Sequence, residues 1–229
     1  MRIVYPVLPV AVGLLMLGWA GPSRAQDCDQ ECARAPHPKT VPAICTKPAD
    51  SKTRPVTGVE AMPATTTDAV RDEFNASSDK IRIVALLSPM CPGCQSGHAV
   101  VGRILRKFSS PELQAILVWE PMRGDDSPEA ATEQAGQVRD ARIWQGWNGN
   151  KNVGDLLGKT LDIHDIAWDV YLIYKPGIKW EGQEPPRPTF WMHQLEGLDP
   201  KLLLCVDPTR LSAEVAKLLD HSKEGPHGD

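Results

Sequence analysis

The sequence has no lysine- or arginine-rich block, and its formal net charge at pH 7 is −4. A nucleic-acid binder needs a basic stripe to displace phosphate counterions, so nucleic acid is excluded as an expected partner. Cysteine is sparse. Six in 229 residues are too few to build a fold from disulfides, so the core must come from apolar packing, with any bridges as additions. Past the first two dozen residues no segment is apolar enough to span a bilayer. Internal repeats and low-complexity segments are also lacking. With 41% hydrophobic and 24% charged residues, the composition favours one globular domain plus a few dozen residues of looser chain. It excludes a collagen-like, coiled-coil or wholly disordered protein.

The chain opens with Met1-Arg2, runs through an apolar stretch from Val7 to Trp19, and reaches small residues at Ser23 and Ala25 before the polar Gln26-Asp27. That order is expected of a secretory signal peptide over residues 1–25, cleaved after Ala25. The competing reading, an uncleaved anchor, is disfavoured because Pro6, Pro9 and Gly13 break the run. Export to a periplasmic or extracellular, disulfide-permissive compartment is therefore expected, with no stable membrane insertion after cleavage. Residues 26–64 hold six prolines and Cys28, Cys32 and Cys45 without apolar periodicity, as a linker would. The folded domain is expected over 65–224 and a flexible tail over 225–229. Cys28, Cys32, Cys45 and Cys205 allow three pairings, among which the sequence does not choose; Cys28 and Cys32 could instead form an exchanging thiol pair.

Within the domain, helical and strand signals alternate. A short helix is expected over Thr66 to Phe74, and a strand buried on both faces over Ile81 to Leu87. An amphipathic helix follows over Cys94 to Phe108, then a second buried strand over Leu113 to Trp119. Ser127 and Pro128 start a further helix, and another fits Val153 to Thr160. A strand over Val170 to Tyr174 is expected to turn at Lys175-Pro176-Gly177 into Ile178-Lys179-Trp180, and a last helix runs from Leu211 to Leu219. The fold class is thus α/β, a mixed central sheet with helices on both faces.

The residues richest in chemistry are Ser88-Pro89-Met90-Cys91-Pro92-Gly93-Cys94, where the first strand gives way to the long helix. Two thiols three apart in an opening helical turn can close a disulfide, and the helix's free N–H groups stabilise a thiolate at the leading cysteine. Cys91 is the expected nucleophile and Cys94 the resolving thiol. The residues also leave open an inert bridge, or a soft-metal site made by Met90, Cys91, Cys94 and His98, whose thiolate, thioether and imidazole groups suit Cu(I) or a similar ion. Against that, His98 reads more simply as a solvated or helix-packed histidine and Met90 as packing. Six tryptophans between Trp119 and Trp191 could line a groove beside the thiols, or serve as core packing. Trp191-Met192-His193-Gln194 is an unusual cluster to which no chemistry attaches, and Asn75-Ala76-Ser77 matches a glycosylation acceptor.

From Ile83 to Leu105, centred on Cys91-Pro92-Gly93-Cys94, the sequence resembles the thioredoxin-like family, and more closely its exported thiol:disulfide oxidoreductases. The resemblance extends more weakly through Tyr171-Leu172-Ile173-Tyr174-Lys175-Pro176-Gly177. It implies a thioredoxin-like fold, exchange through Cys91 and Cys94 with protein or small-molecule thiols and disulfides, and no cofactor. That family usually carries a cis-proline facing the thiols just before the hairpin strand. Trp168-Asp169 stands there instead, and Pro188, with its following threonine, is the other candidate. Trp168, Asp169 and Pro188 are accordingly the expected substrate-binding residues. The first strand supplies no buried carboxylate to assist the second thiol, so Glu120, Asp169 or His98 would have to do so.

Overall fold

The computed structural model describes residues 60–195 and 206–223. The expected signal peptide, nearly all of the linker, the tail, and Cys28, Cys32, Cys45 and Cys205 lie outside those residues. The described elements, in chain order, are α1 (Thr67–Ala76), β1 (Ile81–Leu87), α2 (Pro92–Lys107), β2 (Leu113–Trp119), α3 (Pro128–Ala135), β3 (Ile143–Trp147), α4 (Asn152–Thr160), β4 (Val170–Tyr174), β5 (Phe190–His193) and α5 (Pro208–Lys223). Local chemistry accounts for several boundaries. Thr66 caps α1 by accepting the Ala69 N–H, and Ser127 caps α3 by accepting that of Ala130, with Pro128 opening the helix.

The sheet has the order β3-β2-β1-β4-β5. β1, β2 and β3 pair in parallel, and β4 and β5 continue antiparallel. Every residue of β1 is buried, as its apolar run requires of a central strand covered on both sides. Alternate residues feed two cores. Ile81, Ile83, Ala85 and Leu87 join α2 and α5 through Val101, Leu105, Leu211 and Val215. Val84 and Leu86 join α1 and α4 through Val70, Phe74, Val153 and Leu157. A strand–helix–strand unit with parallel strands, followed by an antiparallel pair and a helix returning to the first face, is a thioredoxin-like fold. Among the described residues no helix is long and apolar enough to cross a membrane.

Three features differ from the sequence expectation. The returning strand is β5, not Ile178-Lys179-Trp180. Those residues leave the sheet because Trp180 buries its ring beside Phe74, while both amide groups of the Asn75 side chain bond the Trp180 backbone, at 2.8 and 3.0 Å. The same bonds occupy the Asn75 amide of the glycosylation motif. β3 was not expected; it is an edge strand in which Gln145 and Gly146 separate the two tryptophans, so no apolar run marks it. The packed chain also begins before residue 65, since Met62 is buried in the core and Ala64 bridges Trp147.

Arg82 lies fully buried within β1. Its guanidinium donates to the carbonyls of Phe74, Lys175 and Ile178 at 3.1, 2.8 and 2.8 Å and stacks on the Phe74 ring at 4.3 Å. It ties α1 and the segment after β4 to the central strand, at the sheet end away from the cysteines. Replacing it with methionine leaves three carbonyls without that donor. Arg82→Met should cost about 2–4 kcal/mol in urea unfolding under reducing conditions; a loss below about 0.5 kcal/mol would contradict this assignment.

Candidate active site

The carboxyl end of β1 delivers the chain through Ser88-Pro89-Met90 to the first turn of α2. Asp126 holds this bend by accepting hydrogen bonds from Ser88 Oγ (2.8 Å), the Met90 N–H (2.9 Å) and the Arg123 N–H (2.7 Å). Gln95 closes the other side by donating to the Pro89 carbonyl at 2.8 Å. Cys91 is the N-cap residue of α2, in extended conformation, with Pro92 at the helix start. The N–H of Cys94 donates to Cys91 Sγ at 3.4 Å. Both cysteines are unbridged in this structure and buried, Cys91 with 8% of its surface exposed and Cys94 with none.

The environment separates the two thiols in acidity. Cys91 is lowered from 9.0 to about 7, chiefly by the hydrogen bond from the Cys94 side chain, with the Cys94 and Gly93 N–H groups adding to it against the desolvation of its site. Cys94 is raised well above 9.0, first by burial and then by its role as donor to Cys91. One sulfur is thus prepared to be a thiolate near neutral pH while the other keeps its proton.

Asp169 stands beside them. It is the residue before β4, with a left-handed φ of 51°, and its N–H donates to the Leu86 carbonyl while its own carbonyl accepts from the Gln194 N–H. Asp tolerates that backbone region better than most residues. The turn directs the side chain inward, where Oδ1 accepts from Tyr171 Oη at 2.7 Å and from Gln194 Nε2 at 3.0 Å. Oδ2 faces Cys91 Sγ at 3.9 Å. Burial raises the carboxyl above its ordinary value, opposed by those donors and by the Cys94 thiol. Gln194 Nε2 also donates to the Gly93 carbonyl at 3.0 Å, joining the end of β5 to the cysteine turn.

Two glycines make this approach possible. A Cβ on Gly93 would lie 2.7 Å from Asp169 Oδ2, and one on Gly97 would lie 1.7 Å from the Tyr171 hydroxyl oxygen. Neither side chain could keep its position against an alanine.

The sequence-derived candidates therefore fall into two sets. Cys91, Cys94 and Asp169 come together, with Trp168 partly buried against the adjoining core. Pro188 does not join them, since it precedes Phe190, which pairs with Ile173 at the far end of the hairpin, whereas His193 pairs with Val170 at the cysteine end. Among the described residues all peptide bonds are trans. The set Met90, Cys91, Cys94 and His98 is also not assembled. His98 is buried edge-on against Trp119, 5.2 Å between rings, and desolvation lowers it to about 4. Met90 is exposed rather than packed. Glu120 is buried under the start of α4, where Oε1 accepts the Gly154 N–H at 2.9 Å and desolvation raises the carboxyl to about 8. Sequence reasoning gave no site role to Tyr171, Gln194, Gly97 or Asp126. Among the tryptophans, Trp119 and Trp180 are core residues.

No protein-family model and no curated protein matches the chain. Solved structures similar to it include a secreted Mycobacterium tuberculosis disulfide oxidoreductase, at 12% identity over 62% of this chain and 85% of that one, with a TM-score of 0.40. A thioredoxin-like protein in its oxidised form aligns at 15% identity over 73% and 93%, TM-score 0.44. The thioredoxin domain of a Bacteroides vulgatus thiol-disulfide oxidoreductase aligns at 16% identity over 53% and 83%, TM-score 0.35.

The thiol asymmetry has a direct readout. In reduced protein, the iodoacetamide alkylation rate of Cys91, followed peptide by peptide, should rise with a midpoint near pH 7 while Cys94 stays unmodified. Because the Asp169 charge opposes the Cys91 thiolate, Asp169→Asn should move that midpoint downward. A Cys91 midpoint near 9, or equal reactivity of the two thiols, would refute the assignment.

Proposed function

We propose that this protein exchanges disulfides through Cys91 and Cys94 with protein or small-molecule thiols and disulfides, in the exported compartment that residues 1–25 lead one to expect. The observation that carries the reading is the unequal pair of sulfurs at the start of α2, with a low-pKa Cys91 in reach of solvent and a fully buried, proton-retaining Cys94. A nucleophile needs thiolate character at working pH. A resolving thiol needs to stay silent until the mixed disulfide has formed.

In the reducing direction the Cys91 thiolate attacks one sulfur of the substrate disulfide. A Cys91–substrate bond forms, the substrate S–S bond breaks, and the second substrate sulfur leaves as a thiolate that takes a proton from solvent. Formation of the mixed disulfide removes the negative charge from Cys91. The Cys94 proton then passes to the Asp169 carboxylate, and the Cys94 thiolate attacks Cys91 Sγ. The Cys91–Cys94 bond closes and the first substrate sulfur is expelled as a thiolate. Two electrons have moved from the dithiol to the substrate, and Asp169 returns its proton to solvent. The same steps in reverse oxidise a substrate dithiol.

Asp169 is suited to the proton step because burial raises its affinity for a proton, and Tyr171 and Gln194 engage only one of its oxygens. Trp168 adjoins it as a candidate substrate contact. Pro188, at the opposite end of the hairpin, is not included in this reading.

Cys91→Ser should abolish dithiol-dependent reduction of insulin, by at least about a hundredfold. Cys94→Ser should instead accumulate a mixed disulfide between Cys91 and the substrate, visible by mass. Full activity in Cys91→Ser would end the proposal, as would failure of Cys94→Ser to trap any adduct.

A further inference from the structure

Cys91 Sγ, Cys94 Sγ and a carboxylate oxygen of Asp169 all lie within 4.8 Å of one another, and among the described residues no other three such groups converge this way. Asp169 Oδ2 lies 3.9 Å from Cys91 Sγ, while Oδ1 is held by Tyr171 and Gln194. One oxygen is thus fixed by protein donors and the other is left toward the sulfurs, as in a carboxylate oriented for a metal by its outer partners. Gly93 permits this approach, since a Cβ there would sit 2.7 Å from Asp169 Oδ2 and 3.7 Å from Cys91 Sγ and would force the carboxylate away from the sulfurs.

We propose that the reduced protein binds one Zn(II) ion through Cys91, Cys94 and Asp169. Zinc bonds of about 2.3 Å to sulfur and about 2.0–2.2 Å to oxygen, in tetrahedral geometry, put neighbouring ligand atoms roughly 3.4–3.8 Å apart, within a few tenths of an ångström of the 3.9 Å separation here. Two thiolates with one carboxylate suit this borderline-soft ion better than Mg(II) or Ca(II), which take oxygen ligands. Three protein ligands leave a fourth position open, as in zinc sites that admit water or substrate. Binding displaces the Cys94 proton and, below about pH 7, that of Cys91 as well, and involves no electron transfer.

The consequence for exchange rests on the function proposed above. A sulfur bonded to zinc is not free to attack, and a disulfide offers no thiolate to the ion, so metal binding and exchange exclude each other. Zinc would hold the reduced pair closed to oxidants until it is withdrawn.

The test uses the full chain with serine at Cys28, Cys32, Cys45 and Cys205, reduced, metal-free and anaerobic, titrated with Co(II) as the spectroscopic substitute. One equivalent should give thiolate-to-cobalt charge-transfer absorption with the visible bands of a four-coordinate ion, displaced by one equivalent of Zn(II). Asp169→Asn should weaken binding at least about tenfold, with the fold checked by circular dichroism. Cys94→Ser and the oxidised protein should show no charge-transfer absorption. Absence of such absorption in the reduced protein would overturn the proposal, as would unchanged affinity in Asp169→Asn. Insulin reduction measured with chelator separates the two readings, because exchange without cobalt binding removes only the metal site, and cobalt binding without exchange removes only the proposed activity.

Discussion

Burying a carboxylate beside two thiols is unfavourable unless its oxygens are satisfied, and the candidate site is organised around meeting that requirement. Asp169 reaches the sulfurs because the chain takes a left-handed step just before β4 and because Gly93 offers no side chain in the way. Tyr171, two residues further along the same strand, supplies one donor, and Gln194, just past the end of β5, supplies the other. Both donors depend on the sheet. The β1–β4–β5 pairing sets the register that puts Val170 opposite Leu86 on one side and His193 on the other. The small Gly97 on α2 then lets the Tyr171 hydroxyl come in beneath the helix.

The second constraint is the helix start itself. A Cys at the N-cap position stands where serine or aspartate usually accepts the free N–H groups of the first turn, and here a sulfur does so. The bond stabilises negative charge on Cys91, while the same turn carries Cys94 into the core. A single structural feature therefore produces both the reactive and the protected thiol. Asp126 keeps the approach to that turn fixed, so the geometry rests on a loop anchored at three points.

Much of this was legible in the sequence. The apolar runs of β1 and β2 and the amphipathic α2 between them have clear periodicity, and the two cysteines fall at the junction those elements define. What escaped notice depends on contacts far apart in the chain. β3 and β5 are short strands at the sheet edges, where pairing partners rather than alternation decide structure. Trp180 looked like a strand residue, but its ring packs beside Phe74 and its backbone is held by the side chain of Asn75, 105 positions away. Arg82 lies within the run expected to form a buried strand, and its three carbonyl partners come from segments that meet only on folding. Trp168-Asp169 was recognised as the place facing the thiols, yet the inward turn of the carboxylate required a positive φ that no local pattern announces. Pro188 was drawn toward the site by its neighbour Thr189, whereas strand register puts it at the other end.

The central claim is that the dithiol form holds one thiolate and one thiol near neutral pH. The reduction potential of the Cys91/Cys94 pair, measured against glutathione across pH 5 to 9 in the presence of chelator, tests it most directly. With two electrons transferred, uptake of two protons makes the potential fall by about 59 mV per pH unit, and uptake of one by about 30 mV. The slope should change from the first value to the second near pH 7. A slope of about 59 mV maintained to pH 9 would contradict the account.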